Sequence, residues 1–409
     1  MIRILKGTGT HRRPPERRTA ATAAAVSGVA AAVALTTSGT AGAATVREPV
    51  TWGMEAGSIP KDTAAGAYVN QQPGIDSWFV GSTATSAPVS TMNAARAAGA
   101  IPMIAWSPQG TLDQIQKGQE DTQIIAMAKS FATYGHPFYL RPFAEFNTNW
   151  ETYSVGETGN TPQSMYGAWR HVERIFRQYA GSNPLFVWTV GYSGATSWLK
   201  TAWPGGSYVN YVGIDAYDWC NSTSWCPGEQ YRYSSILKTV KSFDQGRLAM
   251  LAETGTGLNT SAKGTWLANA LRASMGDGIR ALVWFDETEP NQPDWRLETA
   301  PGAQAAERAA LAQLGVASAS RYSIGTLERY ALTGYWQPGG AVAAGKPATP
   351  SVVSVPKPPQ PTATATPQPT ATATPTPDPT ATPTPLPTDP ASDPAASPTD
   401  PAASPTAGA

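Results

Sequence analysis

The 409-residue sequence contains only two cysteines and three histidines. Two thiols exclude a disulfide-framed miniprotein and a zinc site built from four cysteines. The histidines, at positions 11, 136 and 171, are far apart and near neither cysteine, so the sequence holds no His/Cys cluster for a metal. None of them is placed to serve as the base of a Ser-His-Asp triad. We therefore expect neither a metal nor another cofactor.

The sequence also lacks an excess of charge, since 29 Lys and Arg residues balance 29 Asp and Glu residues. A nucleic-acid-binding protein needs a basic face that neutralises phosphates, so this balance argues against such a partner. The distribution is uneven, however, because residues 1–44 carry six bases and one acid. The rest of the chain has 23 bases and 28 acids, a net charge of about −5.

Aromatic residues are absent from both ends of the sequence, since every Phe, Trp and Tyr lies between Trp52 and Trp336. Residues 1–44 combine a basic start, an Ala/Val-rich run and a small-residue cleavage site at 41–43. This combination is typical of a secretory signal peptide. The apolar run is too short and too weakly apolar for a transmembrane anchor. We expect a secreted, extracellular protein and no membrane span.

Residues 341–409 are mainly Pro, Thr, Ala and Ser, with repeats such as PTATATPQPTATATPTPDPTATPTPLP. Without aromatic side chains the segment cannot bury enough apolar surface to offset the entropy of ordering. Its composition predicts a disordered linker or stalk. Attachment to a cell wall through this stalk is an open alternative to free secretion.

Eight short apolar runs alternate with amphipathic stretches in residues 45–340. Continuously apolar runs are typical of parallel strands that are covered on both faces. Eight strand–helix units predict an α/β fold, a (β/α)8 TIM barrel. An open doubly wound sheet is the competitor, but the nucleotide-binding glycine fingerprint after the first strand is missing. The predicted strands are 50–56, 77–81, 101–107, 137–146, 185–192, 211–218, 248–255 and 279–287, and the predicted helices are 89–99, 111–133, 163–180, 232–244, 262–275 and 302–314.

Two glutamates close predicted strands, Glu145 in YLRPFAEFNTNW and Glu253 in LAMLAETGTG. A barrel carries its chemistry at the carboxyl ends of its strands. Two carboxyl groups across the barrel mouth are what the hydrolysis of a glycosidic bond needs. A structural alternative is a glutamate that caps the next helix or pairs with an arginine such as Arg141. If Glu145 is the acid, its apolar neighbours should raise its pKa.

Aromatic side chains cluster at or beyond the predicted strand ends. Sugar-binding sites combine flat aromatic rings with a few polar groups. Each aromatic alone is equally consistent with core packing. The aromatic candidates are Trp106, Trp150, Tyr192, Tyr217, Trp219 and Trp284, and the polar candidates are Arg141, Asn147, Asp215, Asp286 and Glu287.

Cys220 and Cys226 flank a short loop after the sixth predicted strand. In an exported protein we expect these two residues to form a disulfide. Such a bond would stiffen one wall of the cleft.

In these motifs the chain resembles glycoside hydrolase family 26, the β-mannanase-like family of retaining barrel enzymes. The resemblance covers most of the central region and rests on LRPFAEFNTNW, YVGIDAYDW, LAETGTG and LVWFDE. It implies that Glu145 is the acid/base and Glu253 the nucleophile. It also implies that Trp150 and Trp284 are sugar-binding aromatics and that Tyr217 hydrogen-bonds near the nucleophile.

Ala144 departs from the family pattern, because mannanases of this family usually have a histidine directly before the acid/base. A hydrogen-bonding group beside the sugar is therefore missing, close to the 2-hydroxyl that separates manno- from gluco-configured substrates. The resemblance implies a retaining endo-β-1,4-mannanase, and we expect the chain to be a monomer. Mixed-linkage β-glucan and β-1,3-xylan are the alternative substrates, and a non-catalytic polysaccharide-binding barrel is the alternative of another class.

Overall fold

The computed structural model describes residues 48–220 and 228–336. Eight parallel strands close into a barrel in sequence order, and β1 pairs with β8. The predicted (β/α)8 barrel is confirmed, whereas the predicted signal peptide and the predicted stalk from residue 341 lie outside the described residues. The strands are β1 (Thr51–Glu55), β2 (Ile75–Phe79), β3 (Ile101–Ala105), β4 (Phe138–Arg141), β5 (Pro184–Gly191), β6 (Tyr211–Asp218), β7 (Leu248–Thr256) and β8 (Ile279–Phe285).

Helices follow the strands and cover the outside of the barrel. None of those within the described ranges is long and apolar enough to cross a membrane. The helices are α1 (Ile59–Tyr68), α2 (Val89–Ala97), α3 (Leu112–Gln116), α4 (Asp121–Ala132), α5 (Pro162–Ala180), α6 (Leu199–Ala202), α7 (Glu229–Lys241), α8 (Ala262–Asp277), α9 (Gln304–Gln313) and α10 (Ile324–Thr333).

The helix predicted over 111–133 is wrong as a single element, because the chain forms α3 and α4 there. Gly118 lies between them with a φ of 77°, a left-handed conformation that ends the first helix. The prediction also missed α1, α6 and α10. The sequence did contain a signal for the start of helix α1, because Pro60 occupies its first turn and proline is favoured there.

Apolar side chains divide into a barrel interior and a layer between the strands and the helices. Met103, Leu185 and Val283 belong to the interior cluster, whereas Trp188 and Leu282 belong to the outer layer. Successive residues of a strand point to opposite faces, so each strand supplies both layers. This explains why the strands are apolar along their whole length.

Helix α10 closes the amino-terminal end of the barrel. Leu327 and Ala331 pack into the interior cluster, and the Tyr211 hydroxyl donates to the Ala331 carbonyl at 2.6 Å. Just after the helix, Gly334 lies against the Leu248 side chain at the start of β7. A substrate therefore has to enter from the opposite end, where the carboxyl ends of the strands meet.

Candidate active site

Arg141, the last residue of β4, joins two carboxylates in the floor of the barrel mouth. Its side chain is fully buried, and its Nη1 donates to Oε1 of Glu253 at 2.7 Å. Its Nη2 donates to Oδ2 of Asp215, and its Nε donates to Oγ1 of Thr189 at 3.3 Å. The planar guanidinium thus links four neighbouring strands, β4 to β7.

Glu253 reaches the barrel interior because β7 contains a bulge. Ala252 and Met250 face the interior and Leu251 faces the outer layer, so strict alternation would turn Glu253 outward. The register with β8 shifts between Leu251 and Thr254, which inserts an extra residue at this point. Bulges of this kind re-aim a side chain. Here the bulge brings the carboxylate to Arg141.

Tyr217, near the end of β6, holds the second oxygen of the same carboxylate. Its hydroxyl donates to Oε2 of Glu253 at 2.8 Å. The ring packs against Trp295, with ring centroids 4.9 Å apart. Together with Arg141, Tyr217 fixes the orientation of Glu253, so both residues hold this carboxylate rather than presenting free groups to a ligand.

The sequence predicted Glu145 at the end of the fourth strand, over residues 137–146. In the structure Glu145 lies on a turn after that strand. Strand β4 ends at Arg141, because Pro142 has no N–H for the ladder. Phe143 and Glu145 then take left-handed conformations with φ values of 52° and 56°. Non-glycine residues in this region are uncommon and cluster at functional sites. The Glu145 N–H donates to the Thr189 carbonyl at 3.2 Å, which fixes the turn beside β5.

The carboxyl group of Glu145 has a raised pKa. Burial raises its pKa to about 8, and the charge of Glu253 acts in the same direction. The charge of Arg141 and a hydrogen bond from the Trp150 side chain oppose these effects. Burial and the nearby charge of Glu253 therefore both favour the protonated form of Glu145.

Gly191, at the end of β5, makes room for this carboxyl group. A Cβ at this position would lie 2.9 Å from Oε1 of Glu145 and 2.9 Å from Cγ2 of Thr148. Thr148 also holds the turn, since its N–H donates to the Glu145 carbonyl at 2.9 Å. The sequence analysis missed Gly191, and a glycine closing an apolar strand was the available signal.

Asn147 was predicted to contact substrate, but its amide is bonded to the backbone of the loop after β5. The Gly191 N–H donates to its Oδ1 at 2.8 Å, and its Nδ2 donates to the carbonyls of Gly191 at 2.9 Å and Ala195 at 3.3 Å. The side chain is nearly fully buried. Asn147 therefore joins the loops after β4 and β5.

Trp106 and Trp284 were predicted to line the sugar site, and the structure places both elsewhere. The Trp106 ring packs against Phe176 of α5, with centroids 6.0 Å apart. Trp284 is fully buried, packs against Trp266 of α8 and donates from Nε1 to the Trp295 carbonyl at 3.0 Å. Both rings face the helices. Trp284 alternates along β8 with Val283, which faces the barrel axis, and Trp106 directly follows the last residue of β3. They stabilise the core.

Three other aromatic candidates lie toward the open end of the barrel. Trp150 is 57% exposed and reaches Glu145 through its hydrogen bond. Trp219 is 45% exposed and packs edge-on against Trp295. Tyr192 is half-buried beneath the guanidinium of Arg232. Of these rings, Trp150 is the one that acts on the pKa of Glu145, which it lowers.

Asp286 and Glu287 lie outside the barrel mouth, where they line a pocket of about 470 Å³ between α1 and the chain after β8. Oδ1 of Asp286 accepts a hydrogen bond from the Leu297 N–H at 2.8 Å, and Glu287 pairs with Lys61 at 3.5 Å. Burial raises the pKa of Asp286 to about 7. These two acids are therefore separate from the Glu145–Glu253 pair.

Cys220 lies after β6, with its Sγ 3.6 Å from Oγ1 of Thr256. Cys226 lies outside the described residues, so the disulfide stays a prediction. Within residues 48–220 and 228–336, no group of three or more His, Cys, Asp or Glu side chains is arranged to hold a metal ion.

No family model matches the chain. A curated relative, endoglucanase H from Acetivibrio thermocellus, is 32% identical over 228 residues. The match covers 52% of this chain but 24% of the relative, so the chain spans about a quarter of the length of the protein it matches.

Solved structures resemble the whole barrel. The catalytic domain of the family 26 endo-β-1,4-mannanase from Bacillus sp. JAMB-750 has a TM-score of 0.53 at 15% identity, covering 69% of this chain and 90% of the other. A modular endo-β-1,4-mannanase from Cellulomonas fimi has a TM-score of 0.53 at 14% identity, covering 68% and 73%. The resemblance to glycoside hydrolase family 26 is confirmed in the fold. At these identities the family 26 structures establish the architecture alone.

Proposed function

We propose that this chain is a retaining glycoside hydrolase that cleaves a β-linked polysaccharide with Glu253 and Glu145. The observation that carries the proposal is the difference between two neighbouring carboxyl groups. Glu253 accepts hydrogen bonds on both oxygens, from Arg141 and Tyr217, whereas burial and the charge of Glu253 keep Glu145 protonated. One oriented carboxylate and one carboxylic acid are the two parts of a double displacement.

In the first step, an oxygen of Glu253 attacks the anomeric carbon and the glycosidic C–O bond breaks. The Glu145 proton passes to the leaving oxygen, so the aglycone departs as a neutral alcohol. Arg141 and Tyr217 hold the Glu253 carboxylate in place for this attack. The product is a glycosyl-enzyme ester on Glu253.

In the second step, Glu145 is a carboxylate and removes a proton from a water molecule. The resulting hydroxide oxygen bonds to the anomeric carbon, and the ester to Glu253 breaks. Both glutamates return to their starting states, and the product keeps the β configuration. The exposed Trp150 ring beside Glu145 is available to bind the aglycone sugar.

For the substrate we propose β-1,4-mannan, which follows from the sequence motifs. Mixed-linkage β-glucan is the second candidate, and a specific observation favours it. The 32% identical relative is named an endoglucanase, and Ala144 replaces the histidine usual in the mannanases. Both polymers are uncharged, as suits a chain without an excess of basic residues.

We also propose that the chain is secreted as an extracellular monomer, free or associated with the cell wall, and that residues 341–409 form a linker or stalk. The basic, Ala/Val-rich residues 1–44 support export, and the Pro/Thr repeats support the stalk. A disulfide between Cys220 and Cys226 belongs to the same proposal. Mass spectrometry of the secreted protein before and after reduction tests both processing and pairing.

The function is tested with galactomannan, glucomannan, mixed-linkage β-glucan and β-1,3-xylan, using the wild type, Glu145→Ala and Glu253→Ala. We expect reducing-sugar release by the wild type and a loss of at least about 10³-fold in both variants. Azide should rescue Glu145→Ala on an activated aryl β-glycoside and give a β-glycosyl azide. Glu157→Ala, an exposed glutamate on the same loop, is the matched control.

Each outcome separates the alternatives. Wild-type binding without hydrolysis of any of the four polymers would establish the non-catalytic polysaccharide-binding barrel. Activity on mixed-linkage β-glucan with none on the mannans would replace the first substrate with the second. An α-configured first product, seen by NMR, would contradict the retaining mechanism.

A further inference from the structure

Lys263, the second residue of α8, is a buried cation that takes no direct part in the proposed reaction. Its side chain is fully buried. Helix α8 follows β7, so its first turn lies at the carboxyl end of the barrel. A cation in the first turn of a helix is unfavourable, because the helix dipole is positive there. The reason for a lysine at this position therefore lies outside its own helix.

Lys263 binds the backbone of the loop between β8 and α9. Its Nζ donates to three successive carbonyls, those of Asp294 at 3.3 Å, Trp295 at 3.4 Å and Arg296 at 2.6 Å. An ammonium group has three N–H donors, one for each of these carbonyls. The charged lysine therefore satisfies all three and fixes the path of the loop at Trp295.

Glu307, in α9, lies close to Lys263 because α8 and α9 pack tightly. A Cβ on Gly264 would lie 2.6 Å from the Cβ of Ala306. Burial lowers the pKa of Lys263 to about 8, and Glu307 is the strongest of the charges that oppose this. Burial raises the pKa of Glu307 to about 7, and the charge of Lys263 opposes that rise. The other charges that raise the pKa of Lys263 are those of Asp294, Asp286 and Glu298.

Trp295 connects this loop to the proposed nucleophile. Its ring is fully buried and packs against Tyr217, whose hydroxyl donates to Oε2 of Glu253 at 2.8 Å. The ring also lies against β7, because a Cβ on Gly255 would be 3.2 Å from Cε3 of Trp295. Gly255 is two residues beyond Glu253 on the same strand. Trp295 therefore supports Glu253 through both β6 and β7.

We propose that Lys263 is a positioning residue for Glu253. Lys263 fixes the backbone of Trp295, and the Trp295 ring in turn fixes Tyr217 and the end of β7. These contacts hold the Glu253 carboxylate in line for its attack. The assignment rests on the proposed function, which makes Glu253 the nucleophile. Lys263 acts through these residues and is not itself a catalytic group.

The first test measures how fast Glu253 is labelled by dinitrophenyl β-mannobioside and β-cellobioside that carry fluorine in place of the 2-hydroxyl next to the leaving group. Dinitrophenolate leaves without a proton from Glu145, so the rate reports the nucleophile. In Lys263→Met the first-order rate constant should fall about tenfold to a hundredfold, because the carboxylate is no longer held in line. Loss of folded protein would lower the amount labelled but not this rate constant.

Lys241→Met is the matched control for this test. Lys241 also lies on a helix and donates to a backbone carbonyl, that of Asp277 at 3.3 Å, but it is exposed. The control should label at the wild-type rate. A wild-type rate constant in Lys263→Met would overturn the positioning role while leaving the proposed function intact.

The double variant Lys263→Met/Glu307→Gln tests whether charge balance alone explains the effect. It removes the buried carboxylate together with the ammonium group, so by urea unfolding it should be more stable than Lys263→Met. Its labelling should nevertheless stay slow, because the three carbonyls still lack their donor. Recovery of the wild-type rate constant would overturn the proposal and leave Lys263 only as a charge partner of Glu307.

Trp295→Leu tests the route between Lys263 and Glu253. If Lys263 acts through the Trp295 ring, Lys263→Met/Trp295→Leu should lose no more labelling rate than Trp295→Leu alone. Losses that multiply in the double variant would contradict the route.

A measurement without turnover separates this inference from the proposed function. The full chain is labelled with ¹³C at the glutamate carboxyl carbon, and the NMR signal of Glu253 is assigned by its absence in Glu253→Gln. This signal should move in Lys263→Met and in Trp295→Leu but stay in place in Lys241→Met. If the wild type hydrolyses nothing and the signal moves in this pattern, the route stands and the proposed function fails. If the signal stays in place in Lys263→Met, the inference is wrong even for an active wild type.

Discussion

Arg141 donates a hydrogen bond of 2.7 Å to Oε1 of Glu253 and holds Asp215 with its other terminal nitrogen, entirely inside the protein. A buried arginine between two carboxylates is stable because its charge offsets theirs where water cannot. The same contact orients the proposed nucleophile. Stability and the proposed catalysis therefore depend on one side chain.

Replacing Arg141 by methionine should destabilise the fold by about 3–5 kcal/mol, because Asp215 and Glu253 would lose their buried partner. Urea unfolding measures the loss. Arg296→Met is the control, since Arg296 pairs with Asp294 on the surface at 2.8 Å and should contribute no more than about 1 kcal/mol. Equal losses in the two variants would show that burial adds nothing to the Arg141 network.

Replacing Gly191 by alanine should lower kcat by at least about tenfold, because the new Cβ would lie 2.9 Å from Oε1 of Glu145 and displace the acid. The fold should remain, since the neighbouring atoms belong to side chains. Steady-state kinetics and thermal unfolding together check this. Gly276→Ala, in α8 with open space around it, should keep activity and gain up to about 1 kcal/mol of stability.

The fall of activity at alkaline pH should follow the deprotonation of Glu145. With a pKa of about 8, Glu145 loses its proton above that pH, so kcat/KM should fall there. The hydrogen bond from Trp150 lowers this pKa, so Trp150→Phe should move the limb to higher pH. The pH profile of kcat/KM gives the shift. A limb that stays in place would mean that the indole N–H does not act on Glu145.

The raised pKa of Glu145 also predicts a pH-dependent gain in stability for Glu145→Gln. Below pH 4.5, the ordinary value, the carboxyl is protonated in both folded and unfolded states and contributes no difference. Between that pH and about 8 the folded state binds the proton more tightly, so wild-type stability falls as pH rises. The variant should therefore be about 1–3 kcal/mol more stable at pH 7 and equal at pH 4. Denaturant unfolding at both pH values, with Glu157→Gln as an exposed control, tests this.

The pattern of apolar runs was sufficient to predict the barrel. Eight continuously apolar segments separated by amphipathic ones are compatible with few folds other than this barrel. For β6 the predicted first and last residues both match the structure. The motifs around Glu145 and Glu253 also predicted which carboxyl groups the structure brings together. These features are local, so they are visible along the chain.

The direction of individual side chains was not predictable in the same way. Trp106 and Trp284 were expected to face the ligand and instead face the helices, because an apolar run does not say which alternate residues point inward. Asn147 was expected to be free and is bonded to the chain after β5, a contact between residues 44 positions apart. Such contacts exist only once the strands are paired.

The sequence by itself determined the eight-unit barrel, the two candidate glutamates and the expectation of an acid whose burial raises its pKa. Tertiary structure decided how they act. The bulge in β7 turns Glu253 toward Arg141, and the left-handed turn after Pro142 brings Glu145 beside Gly191. The physical reason is that register, bulges and left-handed turns depend on neighbouring strands, and these neighbours are distant in the sequence.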